Sequence, residues 1–464
     1  MHRSSFKKEI RNAIVIYLLT WLCVFTLASV ILSRGKRTFF EATGLFFEFL
    51  GNPSFVMAIH LLFVIVFSLF LVVRYFIRLY KKKGGHIFFK QLAYRLLIPI
   101  LGVFIVFKSI IYVNANENYD FNWDENLMNL ALTPNDFYEL DRMHRGMSVF
   151  GWDTKTNDAA IDSLIKANVE WVAVIPFIDQ EDETSITVRR PVAKDAVWKS
   201  RDSIFIQSIK QLKAKGLHVN LKPHLWTFSG WRANLTLNSD EAWNTWFDSY
   251  EAYILYYARM AEFTGAELFC IGTELKTSIK KQPERWKALI KKVRAIYSGQ
   301  LTYAANWHDE YEYIDFWDQL DFIGIQAYFP LTKNKNPDLT TIENGWTKHI
   351  KKLERLYQMY NKPILFTEIG YKSDASATIK PWEWGSYLSV LSEKKSDRTQ
   401  QLAYEAFFKR LWHKKWFAGA YFWQWHTYSK KGDVDLNLDF SPRFKPAENT
   451  MAKWYGKRAG KEDL

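Results

Sequence analysis

From Arg145 to Tyr455 the chain repeats one pattern, a short apolar run followed by a stretch with helical spacing. The apolar runs are GMSVF (146–150), VEWVAVIPF (169–177), HVNLKPHL (218–225), ELFCIGTEL (267–275), LTYAANW (301–307), DFIGIQAYF (321–329), PILFTEIGY (363–371) and AGAYFWQWH (418–426). Short, nearly continuous apolar runs of this kind read as strands buried on both faces. Between them lie amphipathic patterns such as DAAIDSLIKA, SIFIQSIKQLKAKG and DEAWNTWFDSYEAYILYYARMAEF. PERWKALIKKVRAIY opens on proline, which is tolerated at a first helical position. Eight such units in succession predict an α/β fold, a (β/α)8 TIM barrel over residues 145–458. A doubly wound open sheet is the alternative, but no G-x-G-x-x-G follows any strand and there is no P-loop.

The residues before the barrel have a different character. Of the 464 residues, the first 113 hold 15 Lys and Arg against 3 Asp and Glu, while the remainder is nearly balanced. The net charge of +13 therefore belongs to a flank of apolar runs and not to a folded basic patch, which argues against nucleic acid as a partner. Three runs, about 12–33, 51–73 and 95–113, approach the roughly 20 apolar residues that span a bilayer. The first is longer than a signal-peptide core, and the third carries Lys108, which can snorkel to the interface or mark an interfacial helix. An N-terminal all-α transmembrane region of three helices is expected over residues 1–113, with the lipid bilayer as its partner. Arg3, Lys7, Lys8 and Arg11 before the first span, and the seven Lys and Arg between Arg74 and Arg95, put those segments on the cytoplasmic side. Three crossings then leave the catalytic domain outside the cytoplasmic membrane; two would leave it inside. Residues 114–144 read as a polar stalk ending in a short helix.

In a TIM barrel the βα loops converge over the C-terminal strand ends, and the active site lies there. Side chains two apart share a strand face. The inward polar set is Asn220, Lys222 and His224 on strand three, Glu274 on four, Asn306 on five, Gln326 and Tyr328 on six, Glu368 on seven, and Trp423 and Trp425 on eight. Glu274 and Glu368 end strongly apolar strands across the ring from one another. Two carboxylates flanking a bond suit glycoside hydrolysis, one giving a proton and one attacking. The alternative is that each pairs with Lys222 or a nearby arginine as a buried ion pair. Trp152, Trp226, Trp231, Trp307 and Trp382 fall in or beside the βα loops, where flat rings stack on pyranose faces or pack ordinarily. His224, His308 and His426 sit at strand ends, yet the first strand lacks the H-x-H of metal-dependent barrels, so no metal and no cofactor is expected. Cys270 reads as a small core residue, and two cysteines without metal spacing exclude a disulfide scaffold.

The segments RGMSVFGWD, LKPHLW, FCIGTEL, DFIGIQAYFP, ILFTEIGY, YFWQWH and SPRFKPAE, taken in order, resemble glycoside hydrolase family 113, whose characterised members are β-mannanases. The resemblance covers Arg145–Tyr455. It implies Glu274 as general acid/base, Glu368 as nucleophile, Tyr328 hydrogen-bonded to the nucleophile, and His224, Asn306 and Trp425 around the reacting sugar. Thr273 stands where the wider clan has the asparagine that contacts the sugar 2-hydroxyl. The reading is a membrane-anchored retaining hydrolase of a β-linked glycan, β-1,4-mannan or manno-oligosaccharides first, with carboxyls roughly 5–5.5 Å apart. Its binding residues would be Trp152, Lys222, His224, Trp226, Asn306, Trp307, Tyr328, Trp423 and Trp425. Trimming of an endogenous cell-surface polysaccharide and non-catalytic glycan binding are the alternatives.

Overall fold

The computed structural model describes residues 2–33, 43–44, 46–47, 50–51, 53–150, 158–189, 197–385, 388–426 and 436–460. Trp152 lies outside them. The chain divides into two compact units, Met1–Lys108 and Ser109–Leu464.

In the first unit a helix runs from His2 to Ser33 and a second from Pro53 to Leu92, followed by a π-helical turn, Ala93–Leu97, and the helix Ile98–Ala115. Gly84 leaves the helical region at φ 74° and ψ 173°, a conformation open to glycine because it lacks a Cβ. The chain folds back there: Arg95 donates to the Tyr75 hydroxyl at 2.7 Å and Phe88 packs edge-on against Phe76. The basic stretch between the second and third apolar runs is thus helical on both sides of a glycine turn. Glu9 ties the first helix to the second through Arg74 and, at 3.8 Å, Arg78. Glu9–Val30 and Phe55–Ala115 are long and apolar enough to cross a bilayer.

In the second unit eight parallel strands close a barrel. They are β1 (His144–Phe150), β2 (Trp171–Val174), β4 (His218–Leu221), β6 (Leu268–Thr273), β7 (Gln300–Asn306), β8 (Phe322–Gln326), β9 (Ile364–Ile369) and β10 (Phe417–His426). Each expected strand is present. Two are interrupted, because Pro176 and Pro223 have no N–H for the ladder. Beyond them Phe177–Gln180 (β3) and His224–Thr227 (β5) pair again in the same register, a two-stranded extension above the rim. The barrel interior is filled by Trp171, Ala173, Leu268, Phe322, Leu365 and Tyr421. At its lower end the His144 ring stacks on Trp171 at 3.9 Å. A second apolar layer lies between strands and helices.

The segment read as a stalk packs along the barrel unit. The Glu117 carboxylate accepts the Arg398 amide at 3.2 Å and the Asp397 amide, capping the helix Asp397–Leu411. Asn449 donates to Asp124 O at 2.8 Å, and the short helix Tyr138–Asp141 sets Tyr138 edge-on against Trp171. These polar residues are here because they satisfy helix ends and loop carbonyls of the barrel.

The closing helix Pro446–Tyr455 buries Glu448 in its first turn, where the carboxylate accepts the Phe444 amide. Burial pushes this carboxyl up to about 7. The folded state therefore keeps a proton that the unfolded chain releases above about 4.5. Stability from Glu448 is complete below that value and lost as pH rises through 7. Glu448→Gln should gain stability relative to wild type between pH 5 and pH 8, by up to about 3 kcal/mol, measured by thermal or urea unfolding; a constant difference across that range would contradict this.

Candidate active site

β9 carries Glu368 to the upper end of the barrel, where two other strands, β4 and β8, deliver its partners. Lys222 Nζ donates to Glu368 Oε2 at 2.9 Å, Gln326 Nε2 to the same oxygen at 3.1 Å, and the Tyr328 hydroxyl to Oε1. Lys222 has no solvent exposure. Its remaining two protons go to Gln326 Oε1 at 2.8 Å and Thr367 O at 3.1 Å. All three donors of the ammonium are engaged, so Lys222 orients a carboxylate and has no proton left for a sugar. The expected bond between Tyr328 and the second carboxylate is present. Burial, with the Glu368 charge beside it, pushes the Tyr328 hydroxyl well above its ordinary 10 and keeps it a donor.

Glu274 follows β6 with φ 53°, a left-handed backbone rare for a side chain with a Cβ and costly enough to need support. The support is local: its amide donates to Ala304 O at 2.9 Å and the next amide, Leu275, to the Tyr303 hydroxyl at 2.6 Å. Its side chain is held by Asn306 Nδ2 on Oε1 at 2.6 Å and by the Arg232 guanidinium on Oε2. Arg232 also donates Nε to Thr273 O at 3.2 Å. Both carboxylates thus carry a cation, the pairing that the sequence offered as an alternative to catalysis. The two pairs differ in setting: Lys222 is fully buried, whereas the Arg232 side chain is 18% exposed on the loop after β5.

Glu310 stands behind this group. Its Oε1 accepts the Tyr303 hydroxyl and its Oε2 the Asn306 amide, both at 2.6 Å. Asn306 and Tyr303 in turn hold the Glu274 side chain and the following amide, so one buried carboxylate braces both sides of Glu274. Burial pushes it up to about 7. Sequence reasoning missed Arg232 and Glu310. The second lies four residues after Asn306 in NWHDE, a spacing that points back at the strand end; the first is a loop arginine with no periodic signal.

The remaining expected residues divide. His224 is buried at the rim with Nε2 unpartnered among the described residues; burial, then the Lys222 and Arg232 charges, push its imidazole well below 6.5 and keep it neutral. Asn306 grips Glu274 through Nδ2 while its Oδ1 accepts the His308 amide at 2.8 Å. Trp307 stacks on Trp382 at 4.8 Å, and Trp423 receives the edge of the exposed Trp384 at 5.8 Å. Trp226, 49% exposed, stands on β5 beside Phe177. Trp425 is not in the site. β1 pairs Ser148 with Trp423 but Val149 with Trp425, a slip of one residue across Gln424. One residue of slip reverses the face, and the Trp425 indole donates instead to Ser163 Oγ in the outer layer. His426 pairs with Asp439 at 3.0 Å. Cys270 is buried, its thiol donating to Gly272 O, and burial pushes that thiol up.

A closed parallel barrel with two braced carboxylates at its upper end is the architecture of a TIM-barrel glycoside hydrolase. Residues 145–443 match the sequence profile of Glycoside Hydrolase Family 113, and the chain belongs to that family. A GH113 β-1,4-mannanase solved as a complex is 26% identical with a TM-score of 0.58, over 68% of this chain and 99% of that one. The GH113 β-mannanase AaManA from Alicyclobacillus acidocaldarius, solved with ManMIm, is 25% identical with a TM-score of 0.58, over 68% of this chain and 97% of that one. Curated proteins gave no match. The protein is a glycoside hydrolase.

Glu310→Ala should destabilise the barrel unit by about 2–4 kcal/mol, because it strands the Asn306 amide and the Tyr303 hydroxyl in a dry interior. Glu310→Gln, which keeps one acceptor, should cost less than half as much in urea unfolding. Equal losses would mean that volume and not hydrogen bonding is what the site needs there.

Proposed function

We propose that this protein is a membrane-anchored retaining glycoside hydrolase of a β-linked glycan, β-1,4-mannan or manno-oligosaccharides, with Glu368 as nucleophile and Glu274 as acid/base. The observation that carries the role assignment is the asymmetry of the two pairs. Glu368 takes donors from a dry lysine, an amide and a phenol, which fix the direction of its oxygens as a nucleophile needs. Glu274 is tied at the rim by a loop arginine, partly open to solvent, and can exchange its partner.

In the first step Glu368 Oε1 or Oε2 attacks the anomeric carbon while Glu274 gives its proton to the glycosidic oxygen. The leaving sugar departs as an alcohol, and a covalent glycosyl–Glu368 ester remains. In the second step the Glu274 carboxylate takes a proton from water, the water oxygen attacks the anomeric carbon, and the ester bond breaks. Neutral His224 and the rings of Trp226, Trp307 and Trp423 would line the sugar sites, and Tyr328, Lys222 and Gln326 would orient the nucleophile. The mannan assignment rests on family membership and on solved neighbours that are β-mannanases.

A membrane anchor fits the apolar stretches and the lysine and arginine asymmetry of residues 1–113, with three crossings placing the barrel outside the cytoplasmic membrane. The side chains of Ile98–Ala115 are without a buried member, as lipid-facing residues would be. Trimming of a polysaccharide made by the same cell is the second reading, favoured by the anchor itself.

With the full-length protein in detergent, β-manno-oligosaccharides should be cleaved with net retention, seen as the β-anomer first by NMR. Glu274→Ala should lower kcat/KM by about 10²–10⁴, and Glu368→Ala should abolish turnover. Tyr328→Phe should lose about 10–100-fold in kcat at little change in KM. Cleavage of cell-surface glycan but not mannan would move the substrate to the second reading. Unchanged turnover in Glu368→Ala would remove the mechanism. In cells the protein should remain with membranes after carbonate washing, with its C-terminus accessible only from outside the cytoplasm; release by the wash would remove the anchor.

A further inference from the structure

Both carboxyl oxygens of Glu274 face N–H donors, Arg232 on Oε2 and Asn306 on Oε1. Arginine has no acceptor atom. Asn306 cannot turn its oxygen inward without giving up the His308 amide that holds it. A glycosidic oxygen that is to take its proton from Oε2 must therefore share that oxygen with Arg232 or displace it. Since Oε1 remains with Asn306, Oε2 is the oxygen that must turn to the substrate.

Charge balance indicates what Arg232 turns to. At rest, among the described residues of the site, Lys222 pairs with Glu368 and Arg232 with Glu274. His224 is neutral, and Glu310 is sealed behind Asn306 and Tyr303 before and after the exchange. Protonating Glu274 removes one negative charge and leaves a mostly buried guanidinium without a counter-ion, which is costly. The backbone around Arg232 is braced and does not carry it away. Gly230 sits at φ 75°, a Cβ there would come within 2.5 Å of Glu183, and the Trp231 amide donates to Glu183 Oε1 at 2.8 Å. On the other side Thr277 Oγ1 holds Ala233 O. The side chain alone must find a new partner within reach of Glu274.

We propose that the leaving-group side of the cleft takes a carboxylate-bearing sugar, a uronate, and that Arg232 passes from Glu274 to that carboxylate as the substrate binds. The proposal rests on Glu274 as the acid/base, because the group that protonates the leaving oxygen lies over the leaving sugar. The guanidinium already holds one carboxylate oxygen at this point, with its Nε on Thr273 O, and a uronate oxygen would take the same donor. In the resting enzyme Glu274 stands in for the substrate's own acid group. Arg232 is then a specificity-determining residue for the leaving sugar that also frees the general acid more readily when a uronate arrives.

The test uses full-length protein and pairs of β-linked oligosaccharides identical except at C6 of the leaving sugar, hydroxymethyl in one and carboxylate in the other. The expected result is a kcat/KM at least about tenfold higher for the carboxylate member. In Arg232→Met that ratio should fall to about one, and Arg232→Lys, which keeps the charge but not the fork, should retain part of it. A wild-type ratio at or below one overturns the proposal, as does an undiminished preference in Arg232→Met. Should Arg232→Met fail to fold by circular dichroism, the wild-type ratio and Arg232→Lys decide. If neither member is cleaved, calorimetry with Glu368→Gln decides. Tighter binding of the carboxylate member upholds the uronate site while the hydrolase reading falls, and equal binding removes the site.

Discussion

An ammonium group sealed from water at the centre of the barrel holds the rest of the site in place. Lys222, carried by β4, is satisfied there because β8 and β9 bring a side-chain amide, a main-chain carbonyl and a carboxylate to its three protons. Each partner comes from a different strand or neighbouring residue, so the arrangement exists only when the barrel is closed. The dependence runs both ways. Removing Glu368 would leave a buried cation unpaired, and removing Lys222 would leave a carboxylate in a dry pocket, each costing several kcal/mol (about 3–5). Folding and the orientation of the Glu368 carboxylate are therefore the same event.

The second carboxylate is built differently. Glu274 sits one residue past its strand in a left-handed conformation, and its cation comes from a surface loop. A group that must give up and regain a proton in each cycle needs partners that exchange, whereas a nucleophile needs partners that do not. The buried brace of Glu310, Tyr303 and Asn306 fixes where Glu274 stands, and the loop arginine leaves open what its outer oxygen does. In the proposed retaining reaction the two carboxylates would thus divide between a rigid interior and an adjustable rim.

Much of this was legible in the sequence because the barrel repeats a simple rule. Continuous apolar runs that turn polar at one end gave all eight strands and brought Glu274, Glu368, Asn306, Gln326 and Tyr328 to one end of the ring. Alternation failed where the ladder slips: Trp425 was expected inward and lies outside because one residue of register is lost at Gln424. Two prolines split runs that hydropathy joins, which raised His224 and Trp226 onto a separate extension. Lys222 was read as a sugar contact, and only three-dimensional counting of its donors shows them all engaged. Arg232 had no signal, since a loop arginine approaches the site through tertiary closure alone. The polar residues of 114–144 looked like a solvated stalk, but their partners are helix ends and carbonyls far along the chain.

The claim at the centre of this account is that Glu368 forms a covalent bond with the sugar. A 2-deoxy-2-fluoro-β-mannosyl fluoride slows the second step more than the first and should trap that ester. Intact mass spectrometry followed by peptide mapping should find one fluoromannosyl adduct on the peptide containing Glu368, with activity lost in proportion. An adduct on Glu274, or hydrolysis of the reagent with inversion and no adduct, would contradict the assignment of the two carboxylates.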